Sequence, residues 1–334
     1  MKKSSEFIND SVFQTNLKIL KKQNETKELF FRCLDEGRDY DYFKKQLENI
    51  WDNLDYSFLQ EQLLQYEEMI HEYNIQGKKE VEEIPKNGSS LFPLVPLAVI
   101  LTQEQRLIRW KLMEYDRSLN SYAYKEDKED YLKLKVQKYK DNIVEYVSHE
   151  GKKSRYVELS TYTSMIQNTN LTRTAWNTTL NDADLLGIEK FYIPYHSFSC
   201  PECMTHQNKI YTKEQLLRMV GVAEETEGDI LHPNCKCTIV MLGNGDKMMK
   251  TSSLTKGEKE EAYDIRQKVN SLTLERERLR TDLNIYKSFR DNEGMQDMID
   301  KYNQKISKIN KEIRELRDEL PTEEMKKQVT AIKR

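Results

Sequence analysis

CPECMTHQNKIYTKEQLLRMVGVAEETEGDILHPNCKC, residues 200–237, holds four of the chain's five cysteines. Cys200-Pro-Glu-Cys203 opens the stretch, 28 residues follow (positions 204–231), and His232-Pro-Asn-Cys235-Lys-Cys237 closes it. A C-x2-C pair places two thiolates on one ion through a tight turn, and the second cluster adds a nitrogen and two more sulfurs. Zinc takes four such ligands tetrahedrally, and a closed set leaves no position for water. Five residues compete for four places. Cys200, Cys203 and Cys235 take three, His232 or Cys237 takes the fourth, and His206 is a weaker sixth candidate. The spacing predicts a structural zinc site in a protein made in a reducing cytoplasm, where clustered cysteines hold metal more often than disulfides. Cys33, alone in Phe30-Phe31-Arg32-Cys33-Leu34, reads as an apolar helix residue.

The text around the cysteines is mixed. Phe191, Tyr192, Ile193 and Tyr195 form a short β-prone run, interrupted by Pro194 and ending at His196, and 210–211 and 238–242 are two further strand candidates. Residues 212–221 read as a short helix capped by Thr212. Upstream, Ser160 reads as the N-cap of a helix ending near Gly187, which suits the C′ position. Tyr162, Met165, Ile166, Thr169, Trp176, Leu180, Ala183 and Leu186 fall largely on one face of it. Residues 155–243 thus read as a small α+β unit wrapped around the cysteines.

Farther out the chain becomes helical and charged: 33% of residues are charged, 37% are hydrophobic, and the net charge is −3. Such a balance suits helices with wide solvated faces, and no global basic excess advertises nucleic acid. Residues 1–150 read as a helical region. Phe7, Ile8, Val12, Phe13 and Leu17 open one amphipathic pattern, and Phe43, Leu47, Ile50, Trp51, Leu54 and Phe58 form another. Residues 84–90 read as a loop, and 102–147 as a second helical block packed through Leu107, Ile108, Trp110, Leu112 and Met113. The most apolar stretch, 91–101, is too short to span a bilayer and is broken by Pro93 and Pro96. No apolar run follows the two opening lysines, so no signal peptide is expected.

Residues 244–257 read as a linker. Beyond it, Ala262, Ile265, Val269, Leu272, Leu279, Leu283 and Tyr286 keep a heptad rhythm with Arg276 as the break, and Met295, Ile299, Tyr302, Ile306, Ile309, Ile313, Leu316 and Leu320 keep it without one. A turn at 291–294 separates the runs, which predicts an antiparallel coiled-coil hairpin over 258–321, closed by Pro321 and followed by a tail at 322–334. Pairing with another copy would use the same seam. The expected fold class is mainly α with a small α+β zinc-stapled core, elongated N-terminal helices and a C-terminal coiled-coil hairpin.

Residues 160–237, 78 of the 334, resemble the minor capsid, or Mu F-type head morphogenesis, proteins of tailed bacteriophages. The order is the same: a helix, a short apolar strand, C-x2-C at Cys200 and Cys203, a strand at Asn208-Lys209-Ile210-Tyr211, and a closing His232-Pro233-Asn234-Cys235-Lys236-Cys237. Asn208 stands where that family has glycine, keeping a residue tolerant of positive φ, and Lys236 stands for arginine. The resemblance implies a minor head component in the virion, made in the host cytoplasm and associated with the portal or the major capsid protein. Self-association would run through the coiled coil, with no membrane involved.

The runner-up function is a zinc-containing nucleic-acid-binding protein contacting packaged or ejected DNA, through Lys236 and the lysines at 247–259. The acidic stretch at 224–229 beside the cysteines weighs against it. An enzyme is not expected. His232-Pro-Asn faintly resembles an HNH nuclease, but paired cysteines would saturate its metal, and there is no phosphate loop, His-Glu-x-x-His or nucleophile elbow. His71 and His149 read as solvated.

Overall fold

Helices follow the apolar periodicity along most of the chain and stop where side-chain caps or β-branched runs take over the backbone. The computed structural model describes residues 2–75, 91–140, 142–147, 154–195, 201–219, 235–243, 255–289, 293–320, 322–323 and 326. The first half contains α1 (Lys2–Glu36), α2 (Tyr40–Asp52), α3 (Ser57–Ile75), α4 (Leu97–Ala123), α5 (Lys128–Lys138), β1 (Asn142–Val147) and β2 (Ser154–Glu158). Then come α6 (Leu159–Leu185), β3 (Lys190–Ile193), α7 (Pro201–Met204), β4 (Lys209–Thr212), α8 (Lys213–Met219), β5 (Val240–Met241), α9 (Lys256–Ser288) and α10 (Gln296–Asp318). The protein is mostly helical with small antiparallel sheets. No helix among the described residues is long and apolar enough to cross a membrane. The expected loop at 84–90, most of the expected linker and His149 lie outside the described residues.

Two units interleave along the sequence: Met1–Thr15, Tyr56–Pro96 and Ser164–Tyr263 form the first, and Asn16–Asp55, Leu97–Thr163 and Asp264–Arg334 the second. In the first, β3 is the central strand, flanked antiparallel by β4 and β5, with Phe191 opposite both Tyr211 and Met241. Its inner face packs with Trp176, Leu180 and Ala183 of α6, Leu216 of α8, Ile239 and Phe92. Thr212 caps α8 as its spelling predicts: its Oγ1 accepts from Gln215 N at 3.2 Å, and Gln215 Oε1 accepts from Thr212 N at 2.9 Å. Gly187 has φ +64°, and Ile188 N bonds Ala183 O at 2.9 Å, closing α6 with a Schellman turn.

The expectation for α6 needs correcting at two points. It begins at Leu159, so Ser160 lies inside the first turn, and the Ser160 N–H is taken by Gln23 Oε1 at 2.9 Å. Nor does it bury a single apolar face: Gln167, Asn168, Asn170, Thr172, Thr178, Thr179 and Asp182 are all buried. Polar residues are tolerated there because α6 is lined by irregular backbone that needs partners. Asn170 accepts from Val95 N at 2.7 Å and donates to Val95 O at 3.0 Å. Asn177, seven residues on, does the same for Phe92 at 2.9 Å each way. The proline-broken stretch 91–96 is thereby held as an irregular strap, and Phe92 enters the core edge-on to Trp176, with ring centroids 6.1 Å apart.

In the second unit an aromatic cluster joins α1, α2 and α4: Phe30 meets Phe43 and Tyr115 edge-on, and Phe43 stacks on Tyr115 at 3.9 Å. Lys111, fully buried, sits 3.6 Å from the Tyr139 ring centroid and donates to Lys140 O at 2.8 Å. The expected helical block at 102–147 is broken: α4 ends at Ala123, α5 starts behind an Asp127 N-cap, and 142–147 is a strand paired with β2. Ile143, Val144, Tyr146 and Val147 favour the pleated conformation over continuing the helix. Leu107 is buried as expected, whereas Trp110 and Met113 are exposed at 49% and 52%.

The helices α9 and α10 run antiparallel. Tyr286 and Tyr302 meet at 5.3 Å between ring centroids, and Lys268 pairs with Glu312 at 3.2 Å. Arg276, the break in the heptad, donates to Asn310 Oδ1 at 3.3 Å across the pair. The same helices also pack within the second unit: Asp282 pairs with Lys27 of α1, Arg278 with Glu158 of β2 at 2.6 Å, and Tyr286 Oη donates to Lys133 O of α5 at 3.2 Å.

Burial pushes the Cys33 thiol from 9.0 up to about 11 and the Tyr302 hydroxyl from 10.0 up to about 12, while Tyr115 and Tyr286 also rise. The unfolded groups ionise first, so the stability these groups contribute below pH 9 is lost as pH rises toward the folded values. Denaturant melts across pH 8 to 11 should show stability falling with pH, and Cys33→Ala should flatten the slope between 9 and 11. A wild-type slope unchanged in the variant would contradict this.

Candidate metal centre

Two chain turns deliver the cysteines. After β3 the backbone enters α7, which carries Cys203, and His206 N bonds back to Cys203 O at 3.1 Å. The turn into β4 is completed by Asn208 at φ +58°, whose N–H donates to Ile193 O at 2.8 Å and whose Oδ1 accepts from Tyr192 Oη at 2.8 Å. A residue tolerant of positive φ is what this position requires. The second turn, Cys235-Lys236-Cys237, leads toward β5.

These turns bring three sulfurs together. The Sγ atoms of Cys203, Cys235 and Cys237 all lie within 4.8 Å of one another, and Cys203 and Cys235 are 3.6 Å apart. The three residues are 1%, 3% and 0% exposed, and none is in a disulfide. Cys237 N–H points to Cys235 Sγ at 3.4 Å, and Gln207 Nε2 to Cys237 Sγ at 3.9 Å. Such N–H contacts favour a sulfur bearing negative charge. Three buried sulfurs at this separation are close enough to bind one metal ion, and thiolates are soft ligands.

Around them α6 holds the backbone. Asn168 Nδ2 and Thr172 Oγ1 both donate to Cys235 O, at 2.9 and 2.8 Å, and Trp176 Nε1 donates to Cys237 O at 2.7 Å. Sequence reading missed these supports. The signal was the run NTNLTRTAWNTT at 168–179, unusually rich in Asn and Thr for a helix interior.

Of the residues expected to ligate, the structure gathers Cys203, Cys235 and Cys237; Cys200 and His232 lie outside the described residues. His206 is not part of the group. Cys33 lies buried in α1, in the second unit. The three cysteines are the one group of three or more His, Cys, Asp or Glu among the described residues that is close enough to share a metal.

His71, expected to be solvated, is instead largely covered. Its Nδ1 lies 3.0 Å from Asp182 Oδ1, and the Asp182 carboxylate, 4% exposed, also accepts from Asn74 Nδ2 at 2.7 Å. The pair joins residues 111 apart in sequence, beyond the reach of local pattern.

No family model matches the chain, and neither a curated protein nor a solved structure matches it.

Removing His71 takes one partner from a buried carboxylate. His71→Ala should lower the stability of the first unit by about 1–3 kcal/mol in urea melts while leaving metal binding unchanged. Unchanged stability would show that the pair carries no structural weight.

Proposed function

We propose that this chain is a structural and assembly protein of a tailed-phage head, a minor capsid or portal-associated component whose first unit is stapled by zinc. The observation that carries the metal half is the group of three buried sulfurs within 4.8 Å of one another. Zinc fits them: a Zn–S bond of about 2.3 Å in tetrahedral geometry implies sulfur pairs about 3.8 Å apart, and Cys203 and Cys235 stand at 3.6 Å. Cys203, Cys235 and Cys237 supply three ligands, and Cys200 or His232 supplies the fourth. A closed set of this kind holds structure and leaves no open position for a reacting water. Its binding contributes on the order of 10 kcal/mol to folding where the site would otherwise be loose.

The phage half rests on the residues of 160–237, whose order and spacing resemble the head morphogenesis proteins beyond the ligands themselves. Asn208 at positive φ and the β3–β4 register, with Ile193 opposite Lys209, support that reading of the segment. The antiparallel pair α9–α10 is read as a coiled coil that stiffens the second unit and presents charged outer faces to head partners. DNA contact through Lys236 and the lysines at 247–259 is the alternative reading.

Cys203→Ser in the full chain should release the metal and lower the melting temperature of the first unit by roughly 10 °C or more, with the helices of the second unit retained by circular dichroism. Metal retained at wild-type level would contradict the ligand assignment. Mass spectrometry of purified particles should find the chain at low copy, and retained portal or capsid protein should survive salt. Absence from particles together with salt-sensitive retention on DNA would favour the alternative.

A further inference from the structure

Asn168, Thr172 and Trp176 follow one another at four-residue spacing on α6, so all three project from one face toward the Cys235–Cys237 turn. They are 0%, 2% and 0% exposed. A helical threonine commonly returns its hydroxyl to the carbonyl four residues back, as Thr169 does to Met165 O at 2.9 Å. Thr172 instead sends its hydroxyl across to Cys235 O at 2.8 Å, where the Asn168 amide joins it at 2.9 Å. Asn168 Oδ1 has no hydrogen-bond partner among the described residues. The side chain is therefore placed there for its N–H, and an uncompensated buried acceptor is tolerated to keep it. Trp176 fixes the other end of the turn through Cys237 O.

The geometry points to Asn168 and Thr172 as positioning residues of the metal site. They touch no ligand atom. By holding the Cys235 carbonyl, with Trp176 holding that of Cys237, they restrict the backbone between the two cysteines, so both sulfurs face Cys203 before any ion arrives. A turn already ordered by α6 does not incur the entropic cost of ordering its backbone on binding. Partners one layer out from the ligands commonly change metal affinity by about 10–100-fold. This inference rests on the metal reading proposed above.

The test uses the full chain, reduced and stripped of metal, titrated with Co2+ against a competing chelator and followed by the thiolate-to-cobalt charge-transfer band. Thr172→Val is isosteric and lacks the hydroxyl; it should weaken Co2+ binding about tenfold, and Thr172→Ser, which restores the hydroxyl, should bind as the wild type does. Asn168→Ser should weaken binding comparably and decides the matter should Thr172→Val fail to fold. Melts of the stripped variants, run in parallel, separate positioning from plain support. While the stripped chain stays folded at the titration temperature, a loss of global stability alone leaves affinity unchanged. Wild-type affinity in folded Thr172→Val and Asn168→Ser, or an equal loss in Thr172→Ser, would overturn the inference and leave the metal reading standing. A wild-type chain that takes up no Co2+ would overturn both.

Discussion

Irregular backbone inside a protein must find hydrogen-bond partners, because each buried N–H or C=O left alone costs free energy comparable to a lost bond. The first unit meets this constraint with one helix. On one side α6 offers Asn170 and Asn177, each closing a two-way pair of bonds on the strap at 91–96. On another it offers Asn168, Thr172 and Trp176 to the Cys235–Cys237 turn. Neither segment has a regular ladder of its own. The Phe92 plug and the Cys235–Cys237 segment are located by bonds that start on α6, and the sheet packs on its apolar residues Trp176, Leu180 and Ala183. A helix so polar would ordinarily face water; this one is buried because most of its polar side chains have backbone to hold.

The second unit is organised differently. Its helices meet through large rings and long cations: Phe30, Phe43, Tyr115 and Tyr139 on one hand, Lys27 and Lys111 on the other. The pair α9–α10 adds a polar contact, Arg276 to Asn310, at the one place where its heptad pattern lapses. A polar contact at a seam position favours one register over its neighbours, since any slip leaves the guanidinium half-buried without that acceptor.

What could be read from the sequence was what depends on local chemistry. The nearness of Cys203 to Cys235 and Cys237, the β-prone run at Phe191–Ile193, the Thr212 cap, Gly187 at the end of α6 and the φ-tolerant Asn208 were each legible from residue type and short spacing, and each has its counterpart in the structure. What could not be read depends on partners distant in sequence. Counting apolar positions on α6 could not reveal that Asn168 and Thr172 serve a carbonyl 67 and 63 residues away. His71 looked solvated because its carboxylate lies 111 residues on. The strand at 142–147 was hidden by lysine- and glutamate-rich helical text running up to it, and its pairing with β2 is what makes it a strand. The two units interleave their segments, a division no linear composition shift announces.

The decisive property of the molecule is whether its buried sulfurs hold a metal. Elemental mass spectrometry on the full chain, purified reduced and without chelator, measures this directly. About one zinc per chain is expected, lost when Cys235 is replaced by serine. Folded protein that remains metal-free after exposure to zinc under reducing conditions would contradict it.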